Sequence, residues 1–239
     1  MRKLPLWFFP LLPGAASAQQ ITVDLGQGGS VTAVSLQLIA LVTLLSLAPG
    51  IAIMVTCFPF IVTVLAILRQ ALGLQQSPPN MLIVSLALFL TFFVMEPTLT
   101  EAWQQGIAPL LDERIELVEA TERTLQPFRG FMAGRCDPAT FEAMAELRPG
   151  IEGTALSADA PLSLLIPSFM LSEIARAFQV GFLIFLPFLI IDLVVAAVLM
   201  SMGMMMVPPA IVSLPFKLAF FVIADGWSLL SGALVRSYF

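Results

Sequence analysis

Histidine is absent from this 239-residue sequence, and cysteine occurs only at Cys57 and Cys136. Without imidazole or clustered thiols, zinc sites, haem ligation and Ser-His-Asp chemistry have almost no material to work with. The two cysteines sit in an apolar segment and a polar loop, so no disulfide is expected. Charge is scarce too. Only 11 basic and 16 acidic side chains stand against 59% hydrophobic residues, a balance outside the range of soluble globular domains and natural for a protein embedded in lipid. The composition argues against an enzyme, and no catalytic residue, cofactor, metal site or nucleic-acid partner is expected.

The charges present are unevenly placed, with 17 of the 27 between Glu96 and Asp159. The middle of the chain is therefore expected in water and the flanks in lipid. Residues 1–18 read as a secretory signal peptide: Arg2 and Lys3 start it, an apolar run from Leu4 to Leu12 follows, and Ala16-Ser17-Ala18 offers a small-residue cleavage site after Ala18. From Leu25 to Leu68 no acidic or basic side chain occurs over 44 residues, more than the roughly 20 that cross a bilayer once. Pro49-Gly50 predicts a break, giving helices over 31–48 and 51–68. A turn over 69–80 holds Gly73 and Pro78-Pro79, and Arg69 places it on the cytoplasmic side by the positive-inside tendency. Residues 81–95 form the next apolar helix, which completes a first hairpin over 19–97.

Residues 98–160 form a polar insertion, expected outside the cytoplasm. Leu111, Ile115 and Val118 recur at helical spacing and Glu119 pairs with Arg123, so an amphipathic helix is predicted to end near Pro127. Asp137-Pro138 reads as an N-cap and first position of another helix, with Phe141 and Met144 on one face. The insertion serves as a packing surface between subunits or as a solvated hairpin. A second apolar hairpin over 161–239 holds helices at 169–200, kinked at Pro187, and at 210–235. The fold class is all-α: membrane-associated helical hairpins broken by Pro and Gly, with a small extracytoplasmic helical insertion.

Six isolated charges lie in or beside the apolar helices: Glu173, Arg176, Asp192, Lys217, Asp225 and Arg236. At mid-membrane each costs about 2.5 to 3.5 kcal/mol on insertion scales, so each is expected to be paired or to face water. Glu173 and Lys217 are expected to pair, within one subunit or between neighbours, and Asp192 and Asp225 are expected as further buried charges. An aspartyl catalytic pair at Asp192 and Asp225 is a poor reading, because each is as easily matched with a basic side chain. Residues 200–206 read MSMGMMM before Val207-Pro208-Pro209. Five soft thioether side chains at a turn suit a deformable seal, although such residues also serve as lipid-facing or core packing.

Two blocks carry a resemblance. Residues 64–97, VLAILRQALGLQQSPPNMLIVSLALFLTFFVMEP, and residues 167–235, with MGMMMVPP at their centre, closely resemble the FliP family. The resemblance implies a subunit of the flagellar type III export gate in the bacterial inner membrane and flagellum basal body. Several copies would assemble with FliQ and FliR around one pore, through which unfolded flagellar proteins leave the cell. It also implies a cone-shaped assembly raised partly above the membrane plane. By similarity Met204, Met205 and Met206 form the pore gasket, and Glu173 and Lys217 stand at matching positions. Phe60 beside Pro59 departs from the basic residue expected there, and the polar insertion shows little family pattern. The homologous subunit of a virulence-type injectisome and, from another class, a stand-alone solute or proton channel remain alternative readings.

Overall fold

The computed structural model describes residues 31–74, 78–204 and 206–239, and the described residues contain helices, turns and no strand. The expected signal peptide and its cleavage point at Ala18 lie outside them. The chain divides into two units, Met1–Ser46 and Leu47–Phe239. The described part of the first belongs to α1 (Val31–Met54), an apolar helix with Leu36, Ile39 and Leu45 largely exposed. Among the described residues three stretches, Ser35–Met54, Asn80–Leu111 and Leu162–Ser201, are long and apolar enough to cross a membrane, and the bent pair Pro209–Ile223 and Gly226–Arg236 meets the same measure only when its two helices are taken together.

Sequence punctuation sets most boundaries, with instructive exceptions. Pro49-Gly50 does not interrupt α1; the break falls at 55–57, ahead of α2 (Phe58–Ala71). There the Thr56 hydroxyl accepts from Phe58 N at 3.4 Å, and Pro59 occupies the first turn, where its missing N–H costs nothing. Helix α3 (Asn80–Ala102) likewise runs through Glu96-Pro97. Glu96 is exposed, and a change from lipid-like to water-like surroundings gives a helix no reason to stop. It continues through a π-turn at Trp103–Ile107 into α4 (Ala108–Leu111). Gly106 permits this close approach, since a Cβ there would lie 2.0 Å from Thr124 Oγ1.

In the insertion, α5 (Leu117–Arg135) passes through Pro127 instead of ending there, leaving Leu111 and Ile115 outside it. Helix α6 (Pro138–Glu146) begins as expected, with Asp137 Oδ2 accepting from Thr140 N at 2.9 Å. Those bonds from Thr140 hold the Asp137 carboxyl below its ordinary range. Phe141 is buried and Met144 partly so, packed with Met132, Leu165 and Phe169.

Helix α7 (Leu162–Ser201) is 40 residues long and contains both Pro167 and Pro187. At about 1.5 Å per residue it spans about 60 Å, twice the roughly 30 Å hydrocarbon core of a bilayer. Half of it must therefore lie outside the hydrocarbon or against protein. The single helix expected over 210–235 is two: α8 (Pro209–Ile223) and α9 (Gly226–Arg236), bent by 62°. Asp225 makes the bend by adopting a left-handed backbone at φ 47°, which Asp tolerates better than most residues. It is exposed, so it is not the buried charge the sequence led us to expect.

The main core joins α2, α3, α7 and α9 around Phe60, Ile61, Leu65, Leu68, Ala87 and Leu234. Helices α2 and α7 approach closely at Gly181, where a Cβ would sit 2.4 Å from Ile67 Cδ1 and 3.3 Å from Ile67 Cβ. Ile67 cannot give way by moving only its tip. Gly181→Ala is expected to destabilise the fold by about 1–3 kcal/mol, the usual range for overpacking. Ile67→Ala in the same chain should recover part of the loss in detergent thermal unfolding.

Candidate functional site: two buried charge clusters and a methionine turn

Glu173 lies three turns into α7 and is fully buried. Its Oε1 accepts from Arg135 Nε and from Arg176 Nη1, each at 3.2 Å, and its Oε2 accepts from the Tyr238 hydroxyl. Arg135 comes from the last turn of α5, Arg176 from α7 itself, and Tyr238 from the segment after α9. Arg135 also donates to Ser237 O at 2.8 Å, and its guanidinium carbon stands 4.1 Å from the centre of the Tyr238 ring. The ring stacks on Phe131 and meets Phe60 edge-on. Burial, and then the negative charge of Glu173, push the Tyr238 phenol above its ordinary value, so it stays a donor. Nearby, the Ser172 hydroxyl accepts from Asp137 N at 2.9 Å, which fixes the start of α6 on α7.

The second cluster is built by α8, α7 and the end of α2. Lys217 Nζ is 2.7 Å from Asp192 Oδ2 and donates to Ala71 O at 3.1 Å. Ser213, one turn before Lys217, donates to Asp192 Oδ1 at 2.5 Å. Lys217 and Ser213 are buried, and Asp192 is the most open of the three. Ala71 is the last residue of α2, so the ammonium also meets the negative end of that helix and one of its terminal carbonyls.

Glu173 and Lys217 are thus not each other's partners within the chain. Each is neutralised locally, and 19 positions of α7, about 28 Å of helix rise, separate Glu173 from Asp192. Sequence reasoning overlooked Arg135, Tyr238 and Ser213. Arg135 looked like an ordinary insertion charge. Ser213 was legible, because it precedes Lys217 by four positions on one helix face. The sole tyrosine of the chain, just past the last apolar helix, was a signal of the same kind.

The methionine turn joins α7 to α8. Met204 N bonds Leu199 O at 2.9 Å and Gly203 N bonds Met200 O at 3.1 Å, the paired bonds of a glycine-terminated helix end, with Gly203 at φ 76°. Pro208 and Pro209 then open α8. Met202, Met204 and Met206 are exposed, Met206 almost completely at 98%. Met205 lies outside the described residues. Beside the turn an apolar cavity of about 560 Å³ is lined by Val194, Val198, Met202, Met204 and Phe216 among others. Among the described residues no group of three His, Cys, Asp or Glu side chains is placed to hold a metal ion. The arrangement offers soft packing at its tip and fixed charge at its base.

The FliP family model matches residues 41–234. The flagellar biosynthetic protein FliP of Caulobacter vibrioides is 52% identical over 229 residues, covering 95% of this chain and 86% of that protein. The protein of the same name from Agrobacterium fabrum is 49% identical over 95% of this chain and 94% of its own length. That from Bacillus subtilis is 46% identical over 85% and 92%. With its apolar helices of spanning length and a match over most of its residues, the chain belongs to the FliP family of flagellar membrane proteins.

Proposed function

We propose that the chain is a core pore-forming subunit of the flagellar type III protein export gate. Several copies, with FliQ and FliR, surround one conduit in the bacterial inner membrane at the flagellum basal body. Unfolded flagellar proteins pass through it, and the subunit itself catalyses no reaction. The observation that carries this reading is the methionine turn: exposed thioethers at the tip of a hairpin whose buried charges are all matched lower down. A rigid, neutralised base with a pliable tip is what a reversible seal for polypeptide needs, because unbranched methionines repack around objects of differing shape. The length of α7 supports a gate that stands partly outside the bilayer.

Replacing Met204, Met205 and Met206 together by alanine is expected to leave the assembled complex intact while raising small-solute permeability several-fold. Dye or ion efflux from vesicles holding the purified gate measures this. An assembled gate that stays tight with all three side chains shortened would remove the seal from the proposal.

A further inference from the structure

Helix α9 is attached in an unusual way. It follows a non-glycine residue in the left-handed region, Asp225, and is bent 62° from α8. Past its far end the Tyr238 hydroxyl reaches Glu173 Oε2, which no other described residue bonds. Between hinge and latch, Leu230 and Leu234 are the residues of α9 beyond Gly226 that bury themselves in the core, while Trp227 and Leu229 face outward. Straightened, α8 and α9 together would give a continuous apolar segment of spanning length, whereas α8 alone, at 15 residues, is too short for one crossing.

We propose that α9 is a hinged strap, with Asp225 as the hinge and Tyr238 as the latch. Closed, Tyr238 completes the Glu173 cluster and lies under Arg135, so the far end of α9 is tied to the last turn of α5 and the third turn of α7. Open, the strap swings out at Asp225 and extends α8. The Lys217 cluster, fixed to α2 and α7, is not part of the moving element. Tyr238 is a positioning residue that acts through Glu173. The strap stands on this chain's own contacts and is independent of the export-gate reading.

Tyr238→Phe tests it in the full chain purified in detergent, because the ring contacts with Phe60, Phe131 and Arg135 survive and only the hydroxyl goes. Amide hydrogen exchange in residues 226–236 is expected to rise roughly tenfold, about 1.4 kcal/mol, with residues 209–223 unchanged. No rise, or an equal rise in both helices, overturns the latch. The hinge is read separately by spin labels at Ile211 and Leu229, both exposed, in a background with Cys57 and Cys136 replaced by alanine. Asp225→Ala, which disfavours the left-handed backbone, should populate a longer distance that Asp225→Gly does not. The same distance distribution in both variants overturns the hinge.

Discussion

Glu173→Ala is expected to cost the subunit about 3–5 kcal/mol, the usual range for removing one partner of a buried ion pair. The reason lies in what is left behind. Arg135 and Arg176 both direct guanidinium nitrogens at Glu173 Oε1, and Arg135 is only 17% exposed there. Without the carboxylate two cations crowd one site, Arg135 poorly hydrated and Arg176 about a third open to solvent, with Ser237 O and Arg135 O as their remaining acceptors. A cation paired with nothing in such surroundings costs far more than the net worth of the original pair. Glu173→Gln keeps the shape and one acceptor oxygen, so it should be milder, and Arg176→Ala should partly relieve Glu173→Ala by removing the surplus charge. Thermal unfolding of the four proteins in one detergent measures the order. Glu173→Ala with the same midpoint as the parent would mean that water already solvates this cluster.

The cluster also shows which parts of the molecule could be read in the sequence. Local signals worked where one residue's chemistry decides the backbone: Asp137-Pro138 starts α6, and Pro208-Pro209 starts α8 after the methionine turn. They failed where a helix carries on past a proline. Pro49, Pro97, Pro127 and Pro167 all lie inside helices, because helix on both sides of each outweighs one missing hydrogen bond, whereas Pro187 sits inside α7 as the sequence predicted. The bend at Asp225 carried a local signal that was passed over, since Asp225-Gly226 is a turn-forming pair set inside an otherwise apolar run. Desolvation correctly required partners for Glu173 and Lys217. It could not name them, because Arg135 and Tyr238 are brought to Glu173 from 38 and 65 positions away. Opposite charge on two apolar helices made Glu173 and Lys217 look complementary. Depth along α7 separates them, and depth is a property of the folded helix that composition does not carry.

Lys217→Glu follows from that separation and should be the most damaging single change at the second cluster. It puts a carboxylate where an ammonium stood 2.7 Å from Asp192 Oδ2, and turns it toward the Ala71 carbonyl at the negative end of α2. Lys217→Met, which only deletes the charge, leaves Asp192 its bond from Ser213 and some access to water, and so should lose less. The compensating change is Asp192→Lys. It restores opposite charges across α7 and α8, yet the new carboxylate at 217 still faces the Ala71 carbonyl and the Ser213 hydroxyl loses its acceptor, so recovery should be incomplete. Glu173→Lys, about 28 Å away along α7, should give none and should add the damage of breaking its own cluster. Yield of folded subunit and unfolding temperature across these variants decide the matter. Recovery by Glu173→Lys and not by Asp192→Lys would mean that the working contact of Lys217 lies in a neighbouring copy of the chain.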